Sequence, residues 1–463
     1  MADYSAAFNC PGCGSPLETL EGTISLQCSY CGLIMRLGSP GRILKYFYDS
    51  KMDNFAAKFA AEKYIKDNGF SLKFTPISNK LYHLPFYRFK GMSYALYSED
   101  VMSEMGEGDY DLPMRNTVFH KRCRNFDLTI PAFDNKMFGL ESLGVRPAVM
   151  PLTVYHKENF PSESTMLDIT ATPEQAEQTA MIMFFFGVGM TAVDKNYLSS
   201  EMIGEGLSVI YYPVWAYSVE RDGMVSTMFI DGLTKDVYHK GYDSFEYNGH
   251  GTDVSQAVEL NPVQHKCPNC GFDLPVSELS LYYYCANCDR SYMLKDDNYY
   301  LTELRCASHE NGELYHPFWK FQFAVGEIDT VGKFSKILTG EIPLIKKSKA
   351  NNPFYLYIPA FRSADLNALM SVGGRLCRMQ PELSFCKKSQ APAADMILPE
   401  SEGLELARFY WNLLRSKYMF LCGKKYDFES CVIKGGELVW LGLDRSYGGP
   451  KKVELKKTHI GYL

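Results

Sequence analysis

The sequence predicts an α+β protein built by tandem duplication, each copy a cysteine ribbon followed by a β-rich body with one amphipathic helix. Three observations carry this reading. A cysteine quartet occurs twice with identical spacing, other landmarks repeat in the same order, and each half contains a single well-signalled amphipathic helix.

The quartets are Cys10-Pro-Gly-Cys13-Gly with Cys28-Ser-Tyr-Cys31-Gly, and Cys267-Pro-Asn-Cys270-Gly with Cys285-Ala-Asn-Cys288-Asp. Fourteen residues separate the two pairs in each quartet. A C-x-x-C turn aims two thiolates at one point, a following glycine permits the tight turn, and a β-hairpin of this length brings the second pair around. Four thiolates closing a tetrahedron suit a structural zinc ion, so two zinc ions per chain are expected, with iron in a rubredoxin-like centre as the rival. Such a closed site leaves no position for water or substrate. It folds a small module and performs no chemistry itself.

Beyond the ribbons, Leu84-Pro85-Phe86-Tyr87-Arg88-Phe89 matches His316-Pro317-Phe318-Trp319-Lys320-Phe321. Phe126 to Phe133 (FDLTIPAF) matches Phe354 to Phe361 (FYLYIPAF), and Leu140 to Gly144 matches Leu369 to Gly373. The offset is 257 at the ribbons and then holds at 232, 228 and 229, which locates one insertion of about 25 residues in the first copy. The residues around Asp53 to Gly69 fill it. Asp53 is a helix N-cap, Asn54 to Asp67 is alanine-rich, Asn68-Gly69 supplies a left-handed C-cap, and Phe70 to Phe74 reads as a strand. A period of this size implies tandem domains and not a solenoid.

In the first copy Thr172-Pro173-Glu174-Gln175 combines an N-cap, a proline at the first helical position and a capping-box glutamine ahead of Ala176 to Phe186. In the second, Pro399-Glu400 opens a run whose Ala407, Tyr410, Trp411 and Leu414 share one face. Closing strands follow: Val209 to Val219, a turn at Asp222-Gly223 and Met224 to Ile230 in one copy, Glu437 to Leu443 in the other. The expected domains are a zinc ribbon at 1–40, a helix-strand insertion at 41–80, a β-rich α+β body at 81–245, a second ribbon at 262–296 and a second body at 297–463. The polar, glycine-bearing stretch between 245 and 262 reads as the linker.

With 463 residues, 46% apolar and 22% charged, the composition is that of an ordinary globular protein. A net charge of −6 offers no general attraction to nucleic acid or to an anionic membrane. Cys123, Cys306, Cys377, Cys386, Cys422 and Cys431 show no paired spacing and read as reduced thiols. With an N-terminus lacking basic and apolar export signals, they favour a cytoplasmic location. The longest apolar run, Ala180 to Val193, is too short to span a bilayer and reads as a buried helix end; no transmembrane segment is expected.

Candidate sites outside the quartets are weak. The proline-aromatic motifs at Pro85, Pro213 and Pro317 read as strand starts whose aromatics alternate between core and surface, in preference to a ligand groove. His83 and His316 are not repeated ligands, because the aligned prolines place His316 opposite Leu84. His265 and His309 lack the partners of a zinc deaminase, and Gly187-Val-Gly189 lacks a dinucleotide fingerprint. No nucleophile and base emerge, so no catalytic or cofactor-binding residue is expected. Each ribbon is net −1. The clusters at Lys346, Lys347 and Lys349 and at Lys451, Lys452, Lys456 and Lys457 read as solvated loops, so specific nucleic-acid binding is not expected.

The ribbons resemble those of the transcription factor IIB type. Together with the Tyr211-Tyr212-Pro213-Val214-Trp215 strand, they look like a group of bacterial ribbon proteins often labelled by analogy with primosomal helicases. The resemblance covers the two ribbons and implies zinc ligation by Cys10, Cys13, Cys28, Cys31, Cys267, Cys270, Cys285 and Cys288; the helicase nucleotide loop is missing. The function expected first is a non-enzymatic interaction scaffold whose ribbons face a protein partner. Second comes a nucleic-acid or transcription-machinery binder acting through the ribbons, and third an enzyme with a site between the halves.

Overall fold

The computed structural model describes residues 5–38, 41–69, 73–103, 114–136, 138–140, 142–143, 152–187, 195–221, 223–238, 253–307, 315–337, 349–363, 365–386, 394–416 and 426–442, with 245, 247 and 249. The architecture is mixed α+β and rich in strands, with helices α1 (Asn54–Asp67), α2 (Pro173–Gly187), α3 (Val331–Ile337), α4 (Leu366–Met379) and α5 (Glu400–Arg415) among the described residues. Two compact units form. One gathers Met1–Lys90, Asp127–Val188 and Gly206–His265; the other gathers Gly91–Phe126, Gly189–Glu205 and Lys266–Leu463.

In the first unit the strands Val237–Tyr238, Met224–Asp231, Lys195–Arg221, Leu44–Phe47, Leu152–Val154, Ser5–Asn9 and Pro16–Leu20 lie side by side in that order. Strand Thr75–Ser103 pairs with Lys195–Arg221, with Met114–Pro131 and, over Leu81 to His83, with Ser164–Met166. From Leu81 to Phe89 it is buried at every position, so the expected alternation between core and surface gives way to a strand covered on both faces. Pro213 sits after Tyr211, the last residue paired with Phe47, and before Val214, the first paired with Asp231. Its missing N–H therefore breaks neither ladder.

Helix α1 forms as its caps dictate. Asp53 accepts the Ala56 N–H at 2.7 Å, Gly69 adopts φ +70, and Ala57, Ala61 and Ile65 pack on Trp215, Tyr217 and Ile230. Thr172 and Gln175 exchange hydrogen bonds at the head of α2, the expected capping box. Ala180 is buried, but Ile182 and Met183 are exposed, which departs from the expected buried helix end over the part of the run whose side chains are described; those of 184–193 lie outside it. Among the described residues no helix is long and apolar enough to cross a membrane.

A charged group lies deep in this unit. Arg88, 1% exposed, forks onto Asp127 through two bonds of 2.8 Å and pairs with Glu21, which also accepts the Ser208 hydroxyl. Lys90 donates to the Glu21 carbonyl at 2.7 Å. Glu21 stands on the turn between strands Pro16–Leu20 and Ser25–Gln27, so this network fixes the first ribbon's hairpins to the strands of the body.

The second unit holds a five-stranded sheet in the order Tyr355–Pro359, Tyr315–Val325, Cys431–Gly442, Cys306–Ala307, Phe385–Cys386. Ala407, Tyr410, Trp411 and Leu414 of α5 are buried, as the periodicity predicts. Helix α4 is not anticipated, because Gly373 and Gly374 stand in its interior. Packing overrides propensity: a Cβ on Gly373 would lie 2.4 Å from the Tyr410 hydroxyl, so only glycine allows α4 and α5 this approach.

At the head of α5, Glu402 accepts the Gly204 N–H at 2.5 Å. Desolvation raises its carboxyl to about 7, against the pull of that N–H and with a further push from Glu405. The folded state therefore holds this proton more tightly than the unfolded chain. Its stabilising effect is complete below about pH 4.5 and is lost as pH climbs through about 7. Denaturation of Glu402→Gln should give equal stability at about pH 4 and a gain over the native protein at about pH 8, at most about 3 kcal/mol. An unchanged pH profile would remove Glu402 as the cause.

The matched segments make matching bonds. Ala132 N–H donates to the Pro85 carbonyl at 2.9 Å, and Ala360 N–H to the Pro317 carbonyl at 2.9 Å. The Ala132 carbonyl accepts from Thr170, and that of Ala360 from Ile397. Phe86 meets Phe133 edge-on at 5.5 Å, and Phe318 meets Phe361 edge-on at 5.6 Å. The Tyr87 hydroxyl donates to the Ala171 carbonyl and the Trp319 indole to that of Leu398, each just ahead of a helix. At the third landmark the correspondence stops: Leu369 to Gly373 lie in α4, whereas Leu140 is not helical and Gly144 lies outside the described residues.

Two further expectations change. The described end of the presumed linker is held in place, with Lys45 bound to Asp253 at 2.7 Å and Val258 bridged to Leu44. Strand formation begins at Thr75, with Lys73 and Phe74 outside it and 70–72 beyond the described residues, as are Asp222, Cys422, His309, Lys346, Lys347 and the lysines of the C-terminal tail.

Candidate metal centres

Each quartet closes. The sulfurs of Cys10, Cys13, Cys28 and Cys31 lie within 4.8 Å of one another, as do those of Cys267, Cys270, Cys285 and Cys288, and each group can hold a metal ion. Within the first, Cys10 and Cys31 are 3.7 Å apart and Cys13 and Cys28 3.8 Å; within the second, both diagonal pairs are 3.6 Å apart. A tetrahedral ion with metal–sulfur bonds of about 2.3 Å sets its sulfurs about 3.8 Å apart, whereas a disulfide needs about 2.0 Å. The spacing is that of ligands.

The local backbone explains the convergence. After the second cysteine of each pair, Gly14, Gly32, Gly271 and Asp289 take φ of +72, +76, +73 and +59. Each donates its N–H to the carbonyl of the first cysteine, at 2.8 to 2.9 Å. Four turns of one design thus present four cysteine pairs. The sequence anticipates three of them through glycine; aspartate serves at the fourth, being one of the few residues that tolerate the left-handed region.

Hydrogen bonds prepare the sulfurs for charge. Ser15 lowers the Cys13 thiol to about 6, and the Cys31 backbone lowers Cys28. The Leu33 backbone pulls Cys31 down, but desolvation and the three neighbouring sulfurs push it up to about 12. Burial raises Cys267, yet the Tyr292 hydroxyl and the backbone of Cys270 and Asn269 bring it to about 6. The Asn287 side chain lowers Cys270, while desolvation and Cys267 raise Cys288 to about 11. A cation held by these sulfurs would supply the charge that the resisting thiols need, and its binding would release protons.

The two centres are seated differently. Cys10 and Cys28 belong to the same buried cluster as Leu84, Phe86, Ile210 and Tyr212. Strand Ser5–Asn9 joins the large sheet beside Leu152–Val154, and Val263–Gln264 adds a third strand to Ser25–Gln27 and Ile34–Arg36. Around the second centre, Tyr282–Cys285, Arg290–Lys295 and Asn298–Thr302 form a separate three-stranded sheet, held to its own unit where Leu281 N–H meets the Met396 carbonyl.

One pairing escaped the sequence. His83 Nδ1 lies 2.5 Å from the Ser164 hydroxyl and Nε2 lies 3.0 Å from the Tyr48 carbonyl. Burial lowers this imidazole to about 4, and its ring packs against Phe160 at 4.8 Å. A neutral, enclosed ring bonded at both nitrogens locks strand Ser164–Met166 in place. The separation of 81 residues left no local signal for it. His316 and the Phe361 ring lie 4.5 Å apart, and His265 is fully buried.

No family model, curated protein or solved structure matches the chain. The likeness to ribbons of the transcription factor IIB type therefore rests on the quartets.

Proposed function

We propose that this protein is a non-enzymatic interaction scaffold, formed by tandem duplication and folded around two structural zinc ions, with Cys10, Cys13, Cys28 and Cys31 holding one and Cys267, Cys270, Cys285 and Cys288 the other. The observation that carries the reading is the all-sulfur, closed character of both quartets. Four thiolates saturate zinc and leave no open position for catalysis. The duplication is supported by the paired bonds from Ala132 to Pro85 and from Ala360 to Pro317.

A protein partner is favoured by what the second ribbon leaves outside. Phe272, Val276, Tyr300 and Leu301 are exposed, and strand Asn298–Thr302 is the edge of its sheet. Apolar side chains on an open strand edge suit a partner that adds a strand or covers the patch. The test compares complexes purified with the native chain and with Phe272→Glu/Leu301→Glu. The variant should keep its metal and melting temperature but lose the co-purifying protein. Retention of the same partner, or specific nucleic-acid binding at physiological salt, would count against this reading.

A further inference from the structure

Helix α1 turns Ala57, Ala61 and Ile65 inward, and its opposite face carries two phenylalanines one turn apart. Phe55 is 77% exposed and Phe59 61%. Side chains four residues apart stand one above the other, so the rings form a short apolar ridge. Lys63 and Lys66 continue the same face and are exposed. Of the two acids in the helix, Glu62 is engaged by Lys58 and by the Tyr217 hydroxyl, and Asp67 stands exposed at its last residue. Ile77, 52% exposed, lies two residues before Asn79; the Asn79 side-chain amide donates to the Asn54 carbonyl at the head of the helix, and the Asn54 amide donates to the Asn79 carbonyl.

The charge here runs against the rest of the molecule. Residues 51–80 carry six lysines and three acidic residues, net +3 in a chain of net −6. We infer that the outward face of α1 is a docking surface for an anionic lipid bilayer, with the rings of Phe55 and Phe59 entering the headgroup boundary and Lys63 and Lys66 meeting lipid phosphates. A fluid interface accepts two protruding rings without a preformed cavity. A folded protein partner would have to present an apolar hollow ringed by acids to match the same ridge. Burying a phenylalanine ring strengthens association roughly ten- to hundredfold, and each lysine near an anionic surface adds about fivefold. Binding is therefore peripheral, reversible and weakened by salt.

The test is co-sedimentation of the full chain with vesicles of phosphatidylcholine alone or mixed with phosphatidylglycerol. Partitioning should favour the anionic vesicles and fall with added salt. Phe55→Ser/Phe59→Ser should lower it at least about a hundredfold, and Lys63→Ala/Lys66→Ala roughly twentyfold. All four positions are exposed, so melting temperatures should stay unchanged. In a Phe59→Trp variant, indole emission should shift to the blue on anionic vesicles only. Equal binding to both vesicle types, binding indifferent to loss of the phenylalanines, or no vesicle binding while these variants break an association with an acidic protein would each overturn the inference.

Discussion

Chelating the metal from the purified protein should unfold its second ribbon outright and destabilise its first unit as a whole. Around the second centre the sheet has strands of four to six residues, with Leu274, Leu281, Tyr283, Tyr292 and Leu294 as its main buried apolar side chains. So small a core falls short of the entropy cost of ordering its own chain. Zinc in comparable peptides contributes about 10–16 kcal/mol, which turns folding into a consequence of binding. Cys285→Ser should therefore expose residues 267–302 to protease and leave the rest protected. The first centre differs in consequence. Cys10 and Cys28 stand inside the main core, so Cys28→Ser should lower the melting temperature of the whole first unit. A protein stripped of metal that keeps its melting curve and protease resistance would refute a structural role for the ions.

Arg88→Met should cost about 3–5 kcal/mol, the largest effect expected from a single substitution away from the cysteines. It removes the cation between Asp127 and Glu21 and leaves Glu21, 6% exposed, as a buried carboxylate facing, among the described residues, the Ser208 hydroxyl and Lys90. The cost arises from the abandoned charge more than from the lost pair. Adding Glu21→Gln to Arg88→Met should hence recover part of the stability, a non-additive result expected of groups in one network. Because Glu21 belongs to the first ribbon, the single variant should also loosen metal binding at Cys10, Cys13, Cys28 and Cys31. Denaturant titration showing a loss below about 1 kcal/mol would mean that water reaches the cluster.

Local chemistry was legible in the sequence wherever a few neighbouring residues decide it. Asp53 and Gly69 bound α1, Thr172 and Gln175 cap α2, and the glycines after the cysteine pairs take the left-handed turns expected of them. What escaped was set by distant contacts. Helix α4 forms across two glycines because Tyr410 requires the space, and no propensity carries that information. Val263 and Gln264 read as the start of the second ribbon, yet they complete a sheet begun at Ser25, over two hundred residues earlier. Ordinary lysines and phenylalanines in α1 acquire meaning once the buried side of the helix is known. The quartets were readable in full because spacing alone forces four sulfurs together, whereas Arg88, Glu21 and Asp127 meet only through the topology of the sheet.

The most direct measurement is the metal content of the native protein after zinc-replete expression, by elemental analysis alongside its absorption spectrum. Two zinc ions per chain and no visible absorption are expected, falling to one per chain in Cys285→Ser. Predominantly iron with rubredoxin-like colour, or less than about one metal per chain, would contradict the account of both centres.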